Sequence, residues 1–275
     1  MKIGLLTSGS SLFPLWRILA RFSHTYHIFL DASHWPWWDK MSELRAERCL
    51  LGTQTLAGQG VTHIILPPLL ELQRSKQLPD GFPTWVEILP LFQTYILEEV
   101  LPYSLVGKIG VLTQRADQTD IQACLHDLMQ RFTLTPRQQH IKTFHPDFPL
   151  RCKEVRLRQY LATTLGARDP MVRKAIKHDL RYFLDAYIDT LIPSSRSILS
   201  FEHLLKRKAG VSGFTFHGSA AVERAFEKIA PQERSYPDYL RITATAQPHF
   251  HANSNTTDAL LTCAGNVPVE RLYLG

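Results

Sequence analysis

The chain has 275 residues, of which 44% are hydrophobic and 20% are charged, and its formal net charge is +6. This composition is typical of a globular protein, long enough for one large domain or two smaller ones. No run of about 18 uncharged apolar residues is present, which excludes a membrane-spanning helix. Polar residues follow the first apolar run too soon for a signal peptide, so we expect a cytoplasmic protein.

Cysteine and histidine spacing gives no sign of a metal site. Cys49, Cys124, Cys152 and Cys263 stand far apart with no C-x-x-C pair, which indicates neither zinc binding nor a disulfide framework. The sequence His249-x-His251 has no third ligand in view and is interpreted as a solvent loop. We therefore expect no metal and no cofactor.

Two basic runs, 151–158 and 204–210, have no aromatic ladder beside them. Such runs are more often solvated helix faces than nucleic-acid surfaces. We expect neither a nucleic-acid partner nor a membrane partner.

Short β-rich apolar runs alternate with stretches of helical apolar spacing along the chain. The run 86–103 predicts a short strand that leads into a helix. The opening run 2–6, Lys-Ile-Gly-Leu-Leu, returns as Lys-Ile-Gly-Val-Leu at 108–112, which indicates an internal repeat. Further strands are predicted at 26–31, 62–67, 141–144, 189–193, 211–216 and 239–245, and helices at 12–22, 39–60, 171–188 and 219–229. This alternation predicts an α/β fold with parallel sheets and helices on both faces.

Several motifs resemble those of a known enzyme family in order and spacing. IGLLTSGSSL resembles I-G-V-F-D-S-G-V-G-G, and IFLDASHWPWWDK fits Y-x-G-D-x-A-x-x-P-Y-G-x-K without a gap. GVTHIILPPLLE resembles G-V-x-x-x-V-V-A-C-N-T-A, and DTLIPSSRSIL resembles D-T-L-I-L-G-C-T-H-Y-P. These are motifs of the glutamate racemases, in the aspartate/glutamate racemase superfamily. The resemblance runs from end to end of the chain.

The resemblance implies two pseudo-symmetric αβ-sandwich, parallel-sheet halves with a cleft between them. The first half would comprise 1–103 plus 208–275, and the second 104–207. It also implies a homodimer.

The catalytic positions of the family do not match. Racemases of this family hold two cysteine thiols on opposite faces of the substrate Cα; one removes the α-proton and the other returns one. Here those positions are Pro68, which has no proton to exchange, and Ser195, whose hydroxyl is a poor base unless a neighbour takes its proton. The family's Asn-Thr and Thr-His pairs become Leu69-Leu70 and Arg196-Ser197.

Other side chains are still candidates for binding a ligand in the expected cleft. Arg115 and Arg196 favour a small anionic, carboxylate-bearing ligand, and Glu71 with His217 could form an acid–base pair. Conversely, Pro68, Leu69, Leu70, Trp37 and Trp38 could fill the cleft. The full set of candidate ligand-binding residues is Thr7, Ser8, Pro36, Trp37, Glu71, Gln114, Arg115, Ser195, Arg196, Ser197 and His217.

Three functions stay open at this point. The first, which we favour, is a racemase-family homologue with a degenerate active site that acts as a binding or regulatory protein. The second is an enzyme of altered chemistry on a small amino-acid-like carboxylate. The third is a true aspartate or glutamate racemase, an isomerase, which the missing thiols disfavour.

Overall fold

The computed structural model describes residues 1–7, 12–31, 42–74, 80–113, 118–155, 170–231, 237–245 and 269–274. Its strands are β1 Lys2–Thr7, β2 Thr25–Leu30, β3 His63–Ile65, β4 Glu87–Ile88, β5 Ile109–Thr113, β6 Leu150–Glu154, β7 Thr190–Pro193, β8 Thr215–Phe216, β9 Tyr239–Thr245 and β10 Val269–Leu274. Its α-helices are α1 Leu12–Leu19, α2 Ser42–Gly58, α3 Pro68–Arg74, α4 Leu91–Thr94, α5 Gln118–Met129, α6 Pro136–Gln139, α7 Pro170–Leu184, α8 Glu202–Val211 and α9 Ser219–Ile229. No helix in these ranges is both long and apolar enough to cross a membrane.

The chain forms two compact units. The first contains Met1–Leu91 and Phe226–Gly275, and the second contains Phe92–Ala225. Each unit holds one parallel sheet, as the alternation of strands and helices predicts. The α/β class and the two parallel-sheet halves expected from the sequence are confirmed.

In the first unit, the described strands form a six-stranded sheet in the order β10-β9-β2-β1-β3-β4. β1 lies inside this sheet, and five of its six residues are buried. Helix α2 packs closely on β1 and β2, because a Cβ on Gly52 would come within 2.2 Å of a Leu6 methyl carbon. The missing side chain at Gly52 thus brings α2 onto the sheet.

In the second unit, the described strands form a four-stranded sheet in the order β6-β5-β7-β8. β5, the repeat of the opening strand, also lies inside its sheet and is entirely buried. The crossovers from β5 to β6 and from β6 to β7 run in opposite directions. Because parallel crossovers are right-handed, α5 lies on one face of this sheet and α7, with α8 packed on it, lies on the other.

Two predicted strands differ from the structure. Residues 141–144 continue the turn that follows α6, through Ile141 N–H bonding to the Gln138 carbonyl, and the edge strand is β6 instead. The predicted strand 211–216 is shortened to β8, because α8 extends to Val211 and Gly213, with a φ of 84°, reverses the chain.

The chain passes from one unit to the other at residues that differ from the expected 103 and 208. Segment 92–103 belongs to the second unit, where the Tyr95 hydroxyl donates to the His217 carbonyl at 2.7 Å. Segment 208–225 belongs there too, because β8 pairs with β7. Main-chain pairing and a buried tyrosine therefore shift the boundaries to residues 91/92 and 225/226.

Candidate functional site

The carboxyl edge of the first sheet holds the first position at which the resemblance implies a thiol. Pro68 follows β3 after a short link and is the first residue of α3, a position that suits proline because the N–H it lacks would have no partner within the helix. Pro68, Leu69 and Leu70 are all buried. The side chains at this position are therefore apolar and carry no exchangeable proton.

Two polar candidates lie in the same unit. Thr7 is the last residue of β1 and is buried, and its carbonyl accepts the Asp31 N–H at 3.0 Å. Glu71 is in the first turn of α3 and is fully buried. Both residues therefore lie at or next to the carboxyl ends of strands, where ligands bind in parallel sheets.

A buried ion pair lies at this same edge of the sheet. Asp31 directly follows β2 and has no exposed surface. Arg48 of α2 donates from Nε and Nη2 to the two carboxylate oxygens, each at 3.0 Å. The Thr245 hydroxyl, at the end of β9, donates to Asp31 Oδ1 at 3.2 Å. The carboxylate is thus fully engaged in holding α2 and β9 at the ends of the strands.

The carboxyl edge of the second sheet holds the second thiol position. Ser195 is half-buried and precedes a short 3₁₀ turn, Arg196–Phe201, in which Arg196 and Ser197 are buried. Ser194 extends the ladder of β7, because its N–H donates to the Leu112 carbonyl at 2.9 Å. A hydroxyl, and not a thiol, therefore occupies this strand end.

His217 is the other candidate at this edge. It directly follows β8, and its N–H donates to the Leu191 carbonyl at 3.0 Å. The ring is 8% exposed, and burial lowers its pKa although a hydrogen bond from the ring to the Glu99 backbone opposes that shift. The nearby Arg224 lowers the pKa further. The ring is therefore held neutral near pH 7.

Two buried polar atoms at this edge have no hydrogen-bond partner among the described residues. They are Ser194 Oγ and His217 Nε2. In the parallel pairing of β7 with β8, Leu191 is opposite Phe216. His217 is therefore level with Ile192, which precedes Ser194 by two residues. Side chains alternate along a strand, so the two polar groups lie on the same face of the sheet.

The residues that support His217 could not be identified from sequence spacing. Tyr95 bonds its carbonyl, and the pKa of Tyr95 is raised well above its usual range because the ring is buried. Arg224 Nε donates at 2.5 Å to Glu99, whose side chain is almost fully buried. Tyr95 and Glu99 lie more than 100 residues before His217 in the chain. Arg224 likewise lies more than 100 residues from Glu99, the residue that it contacts. In the first unit, sequence reasoning did not identify Arg48. The signal in the sequence was a pair of arginines, Arg45 and Arg48, on the helix that follows the strand before Asp31.

Several predicted residues lie outside the described ranges. They are Ser8, Pro36, Trp37, Trp38, Gln114 and Arg115, together with the His249-x-His251 loop and Cys263. The cleft that would unite the candidates of the two halves stays a prediction.

None of the described cysteines lies at the carboxyl end of a strand. Cys49 is buried on α2, Cys124 is half-buried on α5, and Cys152 is buried on β6. Burial raises the pKa of the Cys152 thiol to about 11. Cys152 is in the middle of an edge strand and opposite Val111, two residues short of the strand end. In the described ranges, no group of three or more metal-ligating side chains is found.

Comparison with known proteins finds similarity only at the level of three-dimensional structure. No protein-family model matches the sequence, and no curated protein matches it. The glutamate racemase from Bacillus anthracis superposes with a TM-score of 0.72 at 14% identity, covering 99% of this chain and 97% of that one. The glutamate racemase from Francisella tularensis, in complex with D-glutamate, gives 0.69 at 13% identity, with coverage of 100% and 97%. The Aquifex pyrophilus glutamate racemase gives 0.68 at 20% identity, with coverage of 98% on both sides. The chain therefore has the fold of the glutamate racemases along essentially its whole length.

Proposed function

We propose that this protein is a racemase-fold homologue that does not catalyse cofactor-independent racemisation and instead works as a ligand-binding or regulatory protein. The observation that carries the proposal is the chemistry of positions 68 and 195. One is a buried proline that begins a helix, and the other is a serine at a strand end. Racemisation by two bases needs a proton acceptor and a proton donor on opposite faces of the same carbon. Neither position supplies a thiolate.

The ligand we propose is a small carboxylate with an amino group. The solved glutamate racemase complex with D-glutamate supports a carboxylate, because it shows that this fold accommodates one. Arg196 is a buried guanidinium beside the end of β7 and carries a fixed positive charge. We assign the ligand carboxylate to Arg196.

His217 and Ser194 would complete the recognition. The hydrogen bond to the Glu99 backbone engages one ring nitrogen of the neutral imidazole as a donor. The other nitrogen, Nε2, is then an acceptor, which matches an ammonium group of the ligand. Ser194 Oγ can donate to a carboxylate oxygen. An unsatisfied buried polar atom costs about 1–3 kcal/mol, so a ligand that bonds both atoms gains that energy on binding.

A thermal-shift series with L- and D-glutamate, L- and D-aspartate, succinate and an uncharged amide control tests this assignment. A ligand at about one hundred times its Kd adds about 2.7 kcal/mol to the free energy of unfolding, which raises the midpoint by several degrees. We expect carboxylates to raise the midpoint of the wild type and of Arg207→Ala, in which an exposed arginine of α8 is removed. Arg196→Ala should lose the shift. Equal shifts in Arg196→Ala and wild type, or stabilisation by the neutral amide alone, would reject the carboxylate site.

A second function, an enzyme of altered chemistry on the same class of ligand, is favoured by one observation. Ser194 and His217 place a hydroxyl and a neutral imidazole on the same face of one sheet. The two functions separate in the same experiment, because an enzyme would convert the stabilising ligand. Proton NMR of the ligand after overnight incubation detects that conversion, and the proposal predicts an unchanged spectrum.

A further inference from the structure

Helix α7, Pro170–Leu184, is divided into an apolar and a basic side. Its buried residues are Val172, Ile176, Asp179, Leu180 and Phe183. At about 100° per residue these five positions fall within roughly 100° of one another around the helix axis. That side packs on the second unit's sheet and on α8.

The adjoining side of α7 carries four cations, which we call the basic face: Arg173, Lys174, Lys177 and Arg181. All four are exposed, and at about 100° per residue they also fall within roughly 100° of one another. Arg173, Lys177 and Arg181 follow each other at intervals of about 6 Å along the axis. The helix has one acidic residue, Asp179, and that residue is on the buried side.

Neighbouring elements also bear cations. Helix α8 packs on α7 and bears Lys206, Arg207 and Lys208. Lys206 is paired with Glu202 at 2.5 Å, while Arg207 is exposed. Lys153 of β6 reaches the same region, because its ammonium lies 5.5 Å from the centre of the Tyr182 ring on α7. Cations are therefore present on three packed elements of this unit that are separate in sequence.

Two exposed aromatic rings lie near cations of this unit. Tyr182 of α7 is 44% exposed and lies outside the basic face, about 100° from Arg181 around the helix axis. Tyr187, three residues beyond the helix, is 78% exposed and has the Lys108 ammonium 6.0 Å from its ring centre. A φ of 50° at Tyr187 marks a backbone conformation that costs energy for a non-glycine residue. The fold brings Lys153 to Tyr182 and Lys108 to Tyr187, two contacts between cations and rings that are far apart in the sequence.

We propose that the basic face of α7, with Tyr182 and Tyr187, binds single-stranded nucleic acid. Cations spaced along one face match the phosphates of a polynucleotide, and exposed tyrosine rings offer stacking surfaces for its bases. Stacking on the tyrosines requires bases, so the proposed binding differs from the general attraction of a positive surface for any anion. The proposal is independent of the carboxylate site and reverses the sequence-based expectation of no nucleic-acid partner.

Fluorescence anisotropy with a labelled 20-nucleotide oligouridylate tests the electrostatic part. The observed affinity should fall with salt, with a slope near −3 in log–log form for about four phosphates neutralised. The triple variant Lys174→Gln/Lys177→Gln/Arg181→Gln should reduce the magnitude of that slope by about 2 and weaken binding at least thirtyfold at 50 mM salt. The matched control is Arg131→Gln/Arg137→Gln/Lys142→Gln, which removes the same charge from exposed positions near α5 and α6. It should weaken binding less than about threefold.

Tyrosine variants test the stacking part. Tyr187→Leu should weaken oligouridylate binding about tenfold without changing the salt slope. Tyr182→Leu should act in the same direction, and Tyr187, which is the more exposed ring, keeps the test valid if Tyr182→Leu lowers stability. A parallel arm with oligothymidylate distinguishes RNA from single-stranded DNA as the source, and binding of either supports the proposal.

Three outcomes would overturn the proposal. One is no binding of either strand at 50 mM salt with about 100 µM protein. Another is an equal loss in the two triple variants, which would make net charge the cause. The third combines two results: poly-L-glutamate competes as strongly as unlabelled oligouridylate at the same charge concentration, and Tyr187→Leu does not change the affinity. That result would assign the surface to acidic proteins.

Discussion

Arg48 and Asp31 form a bidentate ion pair at the carboxyl edge of the first sheet, with both hydrogen bonds at 3.0 Å and no exposure of the carboxylate. Removing one partner leaves a buried charge without compensation, which costs about 3–5 kcal/mol. We therefore expect Arg48→Met to lower the free energy of unfolding by about 3 kcal/mol in urea titrations. Lys206→Met, which breaks a pair whose lysine is half-exposed, is the control and should cost less than about 1 kcal/mol.

A double-mutant cycle extends this prediction. Asp31→Asn in the Arg48→Met background removes the carboxylate charge that Arg48→Met leaves unpaired. The double variant should therefore lose less free energy of unfolding than the sum of the two single losses. Purely additive losses would show that the pair contributes little coupling and that α2 is held by its apolar contacts alone.

His217 predicts a pH dependence with a defined sign. Its folded pKa is lowered, chiefly by burial, below the ordinary value of about 6.5, so the unfolded chain binds more protons in this range. The stability contributed by neutral His217 is complete above about pH 6.5 and is lost as the pH falls below it. The loss continues, at up to about 1.4 kcal/mol per pH unit, until the folded pKa is reached.

Urea midpoints at pH 7.5, 6.5, 5.5 and 4.5 measure this effect. His217→Gln should flatten the curve between pH 6.5 and 4.5 relative to wild type, and His140→Gln, at an exposed position, should not. His24, whose pKa burial also lowers, contributes a separate slope of the same sign. A curve for His217→Gln that coincides with wild type would mean that the ring is solvated in the folded protein.

The described cysteines should differ in reactivity. Cys49 and Cys152 are buried, and burial raises the pKa of Cys152 to about 11, so that little thiolate exists at pH 7.5. Maleimide labelling followed by peptide mass spectrometry should modify Cys124 within minutes and spare Cys49 and Cys152 until urea is added. Rapid native labelling of Cys152 would reveal an accessible thiolate and reopen the question of a displaced catalytic cysteine.

Restoring the two thiols should not restore racemisation. Pro68→Cys/Ser195→Cys still has Leu69, Leu70 and Arg196 around the thiols where the family resemblance implies polar partners, and groups in an active site act as a unit. Coupled assays with L-glutamate should show no turnover above the wild-type background. Turnover within about tenfold of ordinary enzymes, about 1–1000 per second, would show that the remainder of the site is intact.

The sequence was informative wherever local pattern determines structure. The repeated Lys-Ile-Gly motif predicted an internal repeat, and the two copies form β1 and β5, which each lie inside one of the two sheets. The run Asp189–Pro193 predicted a strand, and β7, Thr190–Pro193, has that place with all four residues buried. Alternation of these runs with helical spacing was enough to predict the α/β class, whereas the arrangement in two racemase-like halves was implied by the family resemblance.

Long-range contacts set the features that the sequence could not predict. The β-rich run predicted a strand over 211–216, but only Thr215 and Phe216 pair with β7, because the preceding helix continues to Val211. His217 was identified as a candidate, but its neutral state depends on burial and on Arg224, both of which only tertiary packing provides. The pairing of Lys153 with Tyr182 likewise joins a strand to a helix 29 positions away, a distance for which local pattern carries no signal.

Exchange of the α-proton with deuterated water tests the central claim most directly. The protein is incubated at about 50 µM with L- and D-glutamate and with L- and D-aspartate, and the loss of the α-proton signal is followed by NMR. With Pro68 and Ser195 at the two thiol positions, we predict a rate equal to that of the protein-free control for all four compounds. Exchange clearly above the control, whether or not it survives Ser195→Ala, would contradict the account, and survival in that variant would require a base other than Ser195.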